Sequence, residues 1–188
     1  GLVVVGAGLS KTLFGDPELD AARWPGGGTS ISDLGDLSGP ASVSFARGVS
    51  ETGSIIVGEG DSSSGNQGWW WASAGGLQAL PGVAGAMIRS GAQAVSSDGG
   101  TVVGFANTSP TGTGTLEAVR WTGAGFTSVS LLGGLLGAPS PSSNALAANS
   151  DGTRIVGWAR NDVAQDRAFL WDETNDMREL SFVLETEY

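Results

Sequence analysis

The sequence predicts an all-β fold built from four tandem copies of one unit of roughly fifty residues. Three observations predict it. Glycine makes up 32 of the 188 residues and is spread along the whole chain, alternating with short apolar runs. That spacing is what many short strands joined by tight turns require. An apolar pair followed by glycine recurs four times, at Val4-Val5-Gly6, Ile56-Val57-Gly58, Val102-Val103-Gly104 and Ile155-Val156-Gly157. No long helical period appears before residue 178.

The other landmarks keep a fixed order around this anchor. Before the second, third and fourth glycines lie the turn pairs Thr52-Gly53, Asp98-Gly99 and Asp151-Gly152. The Asp-Gly pairs are strong hairpin signals because both residues tolerate positive φ. Further upstream stands S-x-A-x-x-[V/A]-[S/N], at Ser44 to Ser50, Ser90 to Ser96 and Ser143 to Asn149. Downstream, a short strand closes on Trp24, Trp71, Trp121 or Trp171. An L-x-x-L-x-G segment follows in three units, Leu34 to Gly39, Leu77 to Gly82 and Leu132 to Gly137.

Each unit thus offers four strands. The two apolar residues before each glycine point to opposite faces, so burial of both places that strand between neighbouring sheets. The tryptophan strand alternates, with Val119 and Trp121 on one face and Arg120 on the other. Four-stranded units of this length, with a hairpin turn and a late tryptophan, describe β-propeller-like blades; a β-solenoid is the alternative. The units span approximately residues 1–40, with the first strand missing, then 41–86, 87–139 and 140–188. The repeat positions Gly6, Gly58, Gly104 and Gly157, with the four aligned tryptophans, are read as structural. Each aligned tryptophan removes roughly 150–250 Å² from water on burial, an upper bound of about 4–6 kcal/mol.

The run Ala94-Val95-Ser96-Ser97-Asp98-Gly99-Gly100-Thr101-Val102-Val103-Gly104, with Glu117-Ala118-Val119-Arg120-Trp121 and a Leu-Gly-Gly-Leu segment, resembles the HAF-type extracellular repeat. The resemblance covers essentially the whole chain; the second unit departs most, with Thr52 for Asp and three consecutive tryptophans. It implies a bacterial secreted, cell-surface or autotransporter-like protein and carries no settled biochemical activity. Both ends look cut from something longer: the first unit opens at its second strand, and the last runs into a short amphipathic helix with Leu180, Val183 and Leu184 in phase. In the resembled family such a segment leads into a further repeat. A closed ring of four units, its missing strand supplied from the carboxyl end, is the alternative.

Composition excludes much. With no cysteine and no histidine, the usual transition-metal ligands and the commonest nucleophile–base pairs are missing. The net charge is −10, and one lysine and eight scattered arginines do not make a nucleic-acid groove or an anionic-membrane anchor. No apolar stretch approaches the length of about twenty residues needed to span a bilayer as a helix.

Val3 to Thr12 mimics two nucleotide-binding motifs, but Lys11 stands where the third glycine is needed and Ser10 where a phosphate loop needs glycine. Two acidic groups, Asp16/Glu18/Asp20 and Asp172/Glu173/Asp176, are the only candidates for acid–base work by a carboxylate pair or for calcium held through oxygen ligands. Both fall between strands, where solvated turns are the ordinary role. No catalytic, cofactor or metal residue is therefore assigned. Trp69, Trp70 and Trp158 vary between units and are the candidate exposed contact surface, suited to sugar rings or protein joints. The sequence reads as a noncatalytic surface module acting in adhesion or as a structural component. Its expected partners are other copies or neighbouring repeats. A carbohydrate-binding propeller that takes surface polysaccharide and a secreted hydrolase are the alternatives.

Overall fold

The computed structural model describes residues 3–11, 17–26, 30–39, 43–111, 114–135 and 142–187. They form three four-stranded antiparallel sheets and one three-stranded sheet, each an up-and-down blade built from consecutive strands. Blade 1 holds β1 (Val3–Lys11), β2 (Pro17–Pro25) and β3 (Ser32–Asp33). Blade 2 holds β4 (Ser44–Val49), β5 (Ile55–Ser62), β6 (Gly65–Ala72) and β7 (Gly76–Ala79). Blade 3 holds β8 (Ser90–Val95), β9 (Val102–Asn107), β10 (Leu116–Thr122) and β11 (Ser128–Leu131). Blade 4 holds β12 (Ser143–Ala148), β13 (Arg154–Arg160), β14 (Asp166–Asp172) and β15 (Asp176–Glu179). Helix α1 (Leu180–Glu187) follows and packs on β14 and β15. Antiparallel four-stranded sheets stacked face to face are blades, not the coils of a solenoid.

The repeat anchors fall in register. Val4, Ile56, Val102 and Ile155 sit opposite Trp24, Trp71, Trp121 and Trp171 on the neighbouring strand. The apolar pair does divide between two faces. Ile56 packs with Val5 of blade 1, Val102 with Val57 of blade 2, and Ile155 with Val103 of blade 3, each joint forming its own core. The hydrophobic core is therefore three separate inter-blade layers, and every closely packed pair of strands from different blades joins consecutive blades.

The turn before each anchor has one repeated form. The amides of Gly53, Gly99 and Gly152 donate to the carbonyls of Ser50, Ser96 and Asn149, and only the glycine takes positive φ, at 71°, 77° and 72°. A two-residue hairpin with both residues at positive φ is thus replaced by a wider loop in which glycine alone needs the left-handed region. The Ser50 and Ser96 hydroxyls and the Asn149 side-chain oxygen accept from the amides of Ile55, Thr101 and Arg154, which explains the recurring Ser/Asn.

The fourth strand requires a correction of frame. The amides of Leu34, Leu80 and Leu132 donate to the carbonyls of Ala21, Gly68 and Ala118, so Leu80 is the counterpart of Leu34 and Leu132. Leu77, paired with Trp71, lies in β7 itself. In unit 2 the pattern Leu77-x-x-Leu80-x-Gly82 points to a frame three residues early, since Leu77 matches the motif but Leu80 makes the bond. Gly137 lies outside the described residues. In α1, Val183 is buried while Leu184 is 55% exposed, so only part of the expected apolar stripe faces the blade.

Candidate functional site

Three joints between blades use one set of parts. The serine of each S-x-A strand crosses to the blade before it. The amides of Ala21, Gly68 and Ala118 donate to the hydroxyls of Ser44, Ser90 and Ser143 at 2.9, 3.0 and 2.8 Å. These serines are buried, so each satisfies an amide that water cannot reach. Replacing Ser90 by Ala orphans the Gly68 amide and is expected to lower unfolding stability by about 1–3 kcal/mol. The denaturant midpoint measures it, and an unchanged midpoint would refute the role given to the serine.

The residue preceding the aligned tryptophan reaches forward to the next blade. Arg23 lies over the Trp71 ring at 4.4 Å and Arg120 over the Trp171 ring at 4.6 Å. In blade 2 this place belongs to Trp70, whose ring meets Phe126 of blade 3 edge to face at 5.2 Å. Arg120 also pairs with Glu173 at 2.8 Å. Trp121 Nε1 donates back to the Pro81 carbonyl at 2.8 Å.

The candidate contact surface is therefore corrected. Trp69 is fully buried, because it shares a face with Trp71 two residues later and fills the core position held elsewhere by Ala22, Val119 and Phe169. Trp70 is half-buried and serves as an internal joint. Trp158 is half-buried in blade 4.

The end faces differ from the internal ones. Val4 is 53% exposed, whereas its counterparts Ile56, Val102 and Ile155 are fully buried. Val156 is 38% exposed, whereas Val57 and Val103 are fully buried. By alternation along β13 and β14, Val156, Trp158 and Leu170 share the outer face of blade 4, where α1 covers part of the surface and its Val183 lines a depression with Leu170. On the strand opposite Trp158, the Asn144 side-chain oxygen is buried without a partner among the described residues.

The acidic groups do not converge. Asp16 lies outside the described residues, as does the side chain of Glu18, while Asp20 is buried. Asp172 and Glu173 line one depression, and Asp176 lines a different open groove of about 920 Å³ with Leu132 and Met177. Burial disfavours charge on Asp172, yet the amides of Asn175 and Thr174, the Asn175 side chain and Arg178 outweigh it and hold the carboxyl below its ordinary range. Among the described residues no three acidic side chains come together as a cation site.

Two turn aspartates are also held low. The Ser96 hydroxyl and the Gly100 amide favour ionised Asp98, and the Thr153 hydroxyl and amide favour ionised Asp151. Asp36 moves the other way, through burial and then the charges of Asp20 and Asp33. Asp98, Asp151 and Asp172 have folded values below the unfolded one, so each contributes stability above the ordinary value of 3.8 that is lost as pH falls through its folded value. Asp36 opposes this, since protonating it as pH falls favours the folded state. The melting temperature is expected to drop as pH falls below about 4, more gently in the Asp98→Asn/Asp151→Asn double variant. An equal slope in that variant would exclude the turns as the source.

No family model matches the sequence, and no curated protein matches it. Solved structures do. A putative TolB from Agrobacterium tumefaciens aligns with TM-score 0.62 at 15% identity, over 94% of this chain and 60% of that one. TolB from Acinetobacter baumannii aligns with TM-score 0.59 at 13% identity, over 95% of this chain and 43% of that one. The chain thus spans 60% of the first and less than half of the second. At such identities the likeness concerns the fold alone, and together with the stacked four-stranded sheets it makes this chain a row of β-propeller-type blades.

Proposed function

We propose that the chain is a noncatalytic binding module that works by contact through its blade faces, as a structural or adhesive component at the bacterial cell surface. The observation that carries this reading is the exposure of Val4 and Val156 at the two ends of the row, whereas Ile56, Val102 and Ile155 at the first position and Val57 and Val103 at the second are fully buried in internal joints. Each internal joint shows what such a face accepts: another blade, offering a branched aliphatic residue and a tryptophan. Faces of opposite kind at the two ends favour head-to-tail contacts with other copies or neighbouring repeats, which extend into filaments unless the rotation closes a ring. The surface location is supported by the motif likeness to HAF-type repeats. The use of Trp70 in a joint and of Trp69 in a core leaves the polysaccharide reading with Trp158 alone.

The test is sedimentation and electron microscopy of the purified chain beside Val156→Asp. Concentration-dependent assembly that the variant abolishes is expected, because a charge buried unpaired in a joint costs several kcal/mol. A parent that stays monomeric at high concentration, or a variant that assembles equally well, would sink the proposal.

A further inference from the structure

The open groove between the outer parts of blades 3 and 4 lies away from the end faces and carries a contact of another kind. Its volume is about 920 Å³, near the top of the range of ligand clefts, roughly 300–1,000 Å³. Leu132, Leu135 and Met177 line it from buried positions, whereas Leu131 and Phe182 line it while 44% and 58% exposed. Large apolar side chains left in water within a concave surface mark a place where the apolar part of a ligand is buried.

Backbone is offered there as well. All four residues of β15, Asp176 to Glu179, line the groove, and β15 pairs with β14 alone. This free edge belongs to the blade design, since β7 and β11 are likewise the outermost strands of their sheets. A free strand edge supplies main-chain donors and acceptors to an extended segment.

Charge narrows the choice of segment. Asp162, Asp176, Arg178 and Glu179 are the charged residues lining the groove, and two of them are already matched. Arg178 pairs with Asp172 at 2.8 Å and Glu179 with Arg167 at 3.8 Å. Asp162 and Asp176 are exposed and make no hydrogen bond or ion pair among the described residues. They flank opposite ends of the seven-residue β14: Asp162 lies in the turn before it, and Asp176 pairs with Asp172 at its far end. At about 3.3 Å per residue, that separates them by on the order of 20 Å. A compact amine reaches one of these carboxylates, whereas an extended chain reaches both. The net charge of −10 also draws a cationic partner in from a distance.

We infer that this groove takes an extended peptide in which apolar residues alternate with Lys or Arg, added along the edge of β15. Its apolar side chains cover Leu131 and Phe182, and its cationic ones meet Asp162 and Asp176. The inference goes beyond the joining of blade faces and does not depend on it.

The experiment uses the intact chain and a labelled peptide alternating Leu and Lys, beside the same peptide with Glu for Lys and a neutral oligosaccharide. Binding is followed by fluorescence anisotropy and by amide exchange. The Leu-Lys peptide is expected to bind, more weakly as salt rises, and to slow exchange across Asp176–Glu179; the other two probes do neither. Phe182→Ala, at a site more than half exposed and so without cost to the fold, is expected to weaken binding about tenfold. Asp162→Asn and Asp176→Asn each weaken it about threefold, the scale of an exposed ion pair. Glu51→Gln, which removes one charge from a remote turn of blade 2, leaves the affinity unchanged. No binding by the Leu-Lys peptide, equal binding by the Leu-Glu peptide, full binding by Phe182→Ala, or an equal loss in Glu51→Gln would each overturn the inference. So would protection elsewhere than β15, or binding of the oligosaccharide in place of the peptide. Self-assembly through the blade faces is read by sedimentation without peptide, so failure of that reading and failure of this one are told apart.

Discussion

Trp121→Ala is expected to lower unfolding stability by about 3–5 kcal/mol, the usual cost of emptying a fully buried large aromatic site. The ring is completely excluded from water and lies in the layer that joins blades 2 and 3, with Val57, Leu80 and Val102. Its Nε1 donates to Pro81, so truncation also leaves that carbonyl short of a partner. Trp24→Ala provides the contrast. Trp24 is only half-buried, so its loss is expected to cost less than half as much. Because the row is held by nearest-neighbour joints, weakening the middle one also reduces cooperativity. Urea titrations of both variants check the difference and the slope. Equal losses would mean that the aligned tryptophans stabilise their own blades and not the joints.

Gly104→Ala is expected to cost about 1–3 kcal/mol or more, although it adds a single carbon. Alanine would ordinarily stabilise a strand relative to glycine by lowering the entropy of the unfolded chain. Here the added Cβ overlaps the Gly91 carbonyl and lies 3.1 Å from the Ala92 Cα, both of them backbone atoms. Neither can swing aside as a side-chain end does, so β8 must separate from β9. Amide exchange in β8 should rise along with the loss of denaturant stability. Full stability in the variant would mean that the S-x-A strand tolerates displacement.

Much of the fold was legible because the repeat places the same residue at the same register four times. The apolar pair, its glycine and the late tryptophan fix three strand positions and both faces of the inner strand. Variation between units suggests exposure at Trp69, which the fold buries completely. Its parity with Trp71 was the better signal, since residues two apart in a strand share a face. Leu77 was misread because L-x-x-L-x-G fits two frames in that stretch, and only the Leu80 amide bonding to Gly68 distinguishes them. The joints were less legible. Ser44, Ser90 and Ser143 recur visibly in sequence, but their partners lie more than twenty residues away on another blade. The Arg-Trp dipeptides at 23–24 and 120–121 carried a signal for stacking, and the third member, Trp70, disguised it. The acidic group at 172–176 looked like chemistry, whereas Asp172 organises its turn and Glu173 binds the preceding blade.

The turns before the anchors are also tied to one another. The Glu51 amide donates to Ser97 and the Asp98 amide to Ser150, which links blade 2 to blade 3 and blade 3 to blade 4 by backbone alone. The joint between blades 1 and 2 has no such tie among the described residues. Under a pull applied at the two ends, three joints carry the same load in series. At the second and third, a pull has to break these backbone bonds as well as part the apolar faces, so blades 2, 3 and 4 resist as one unit.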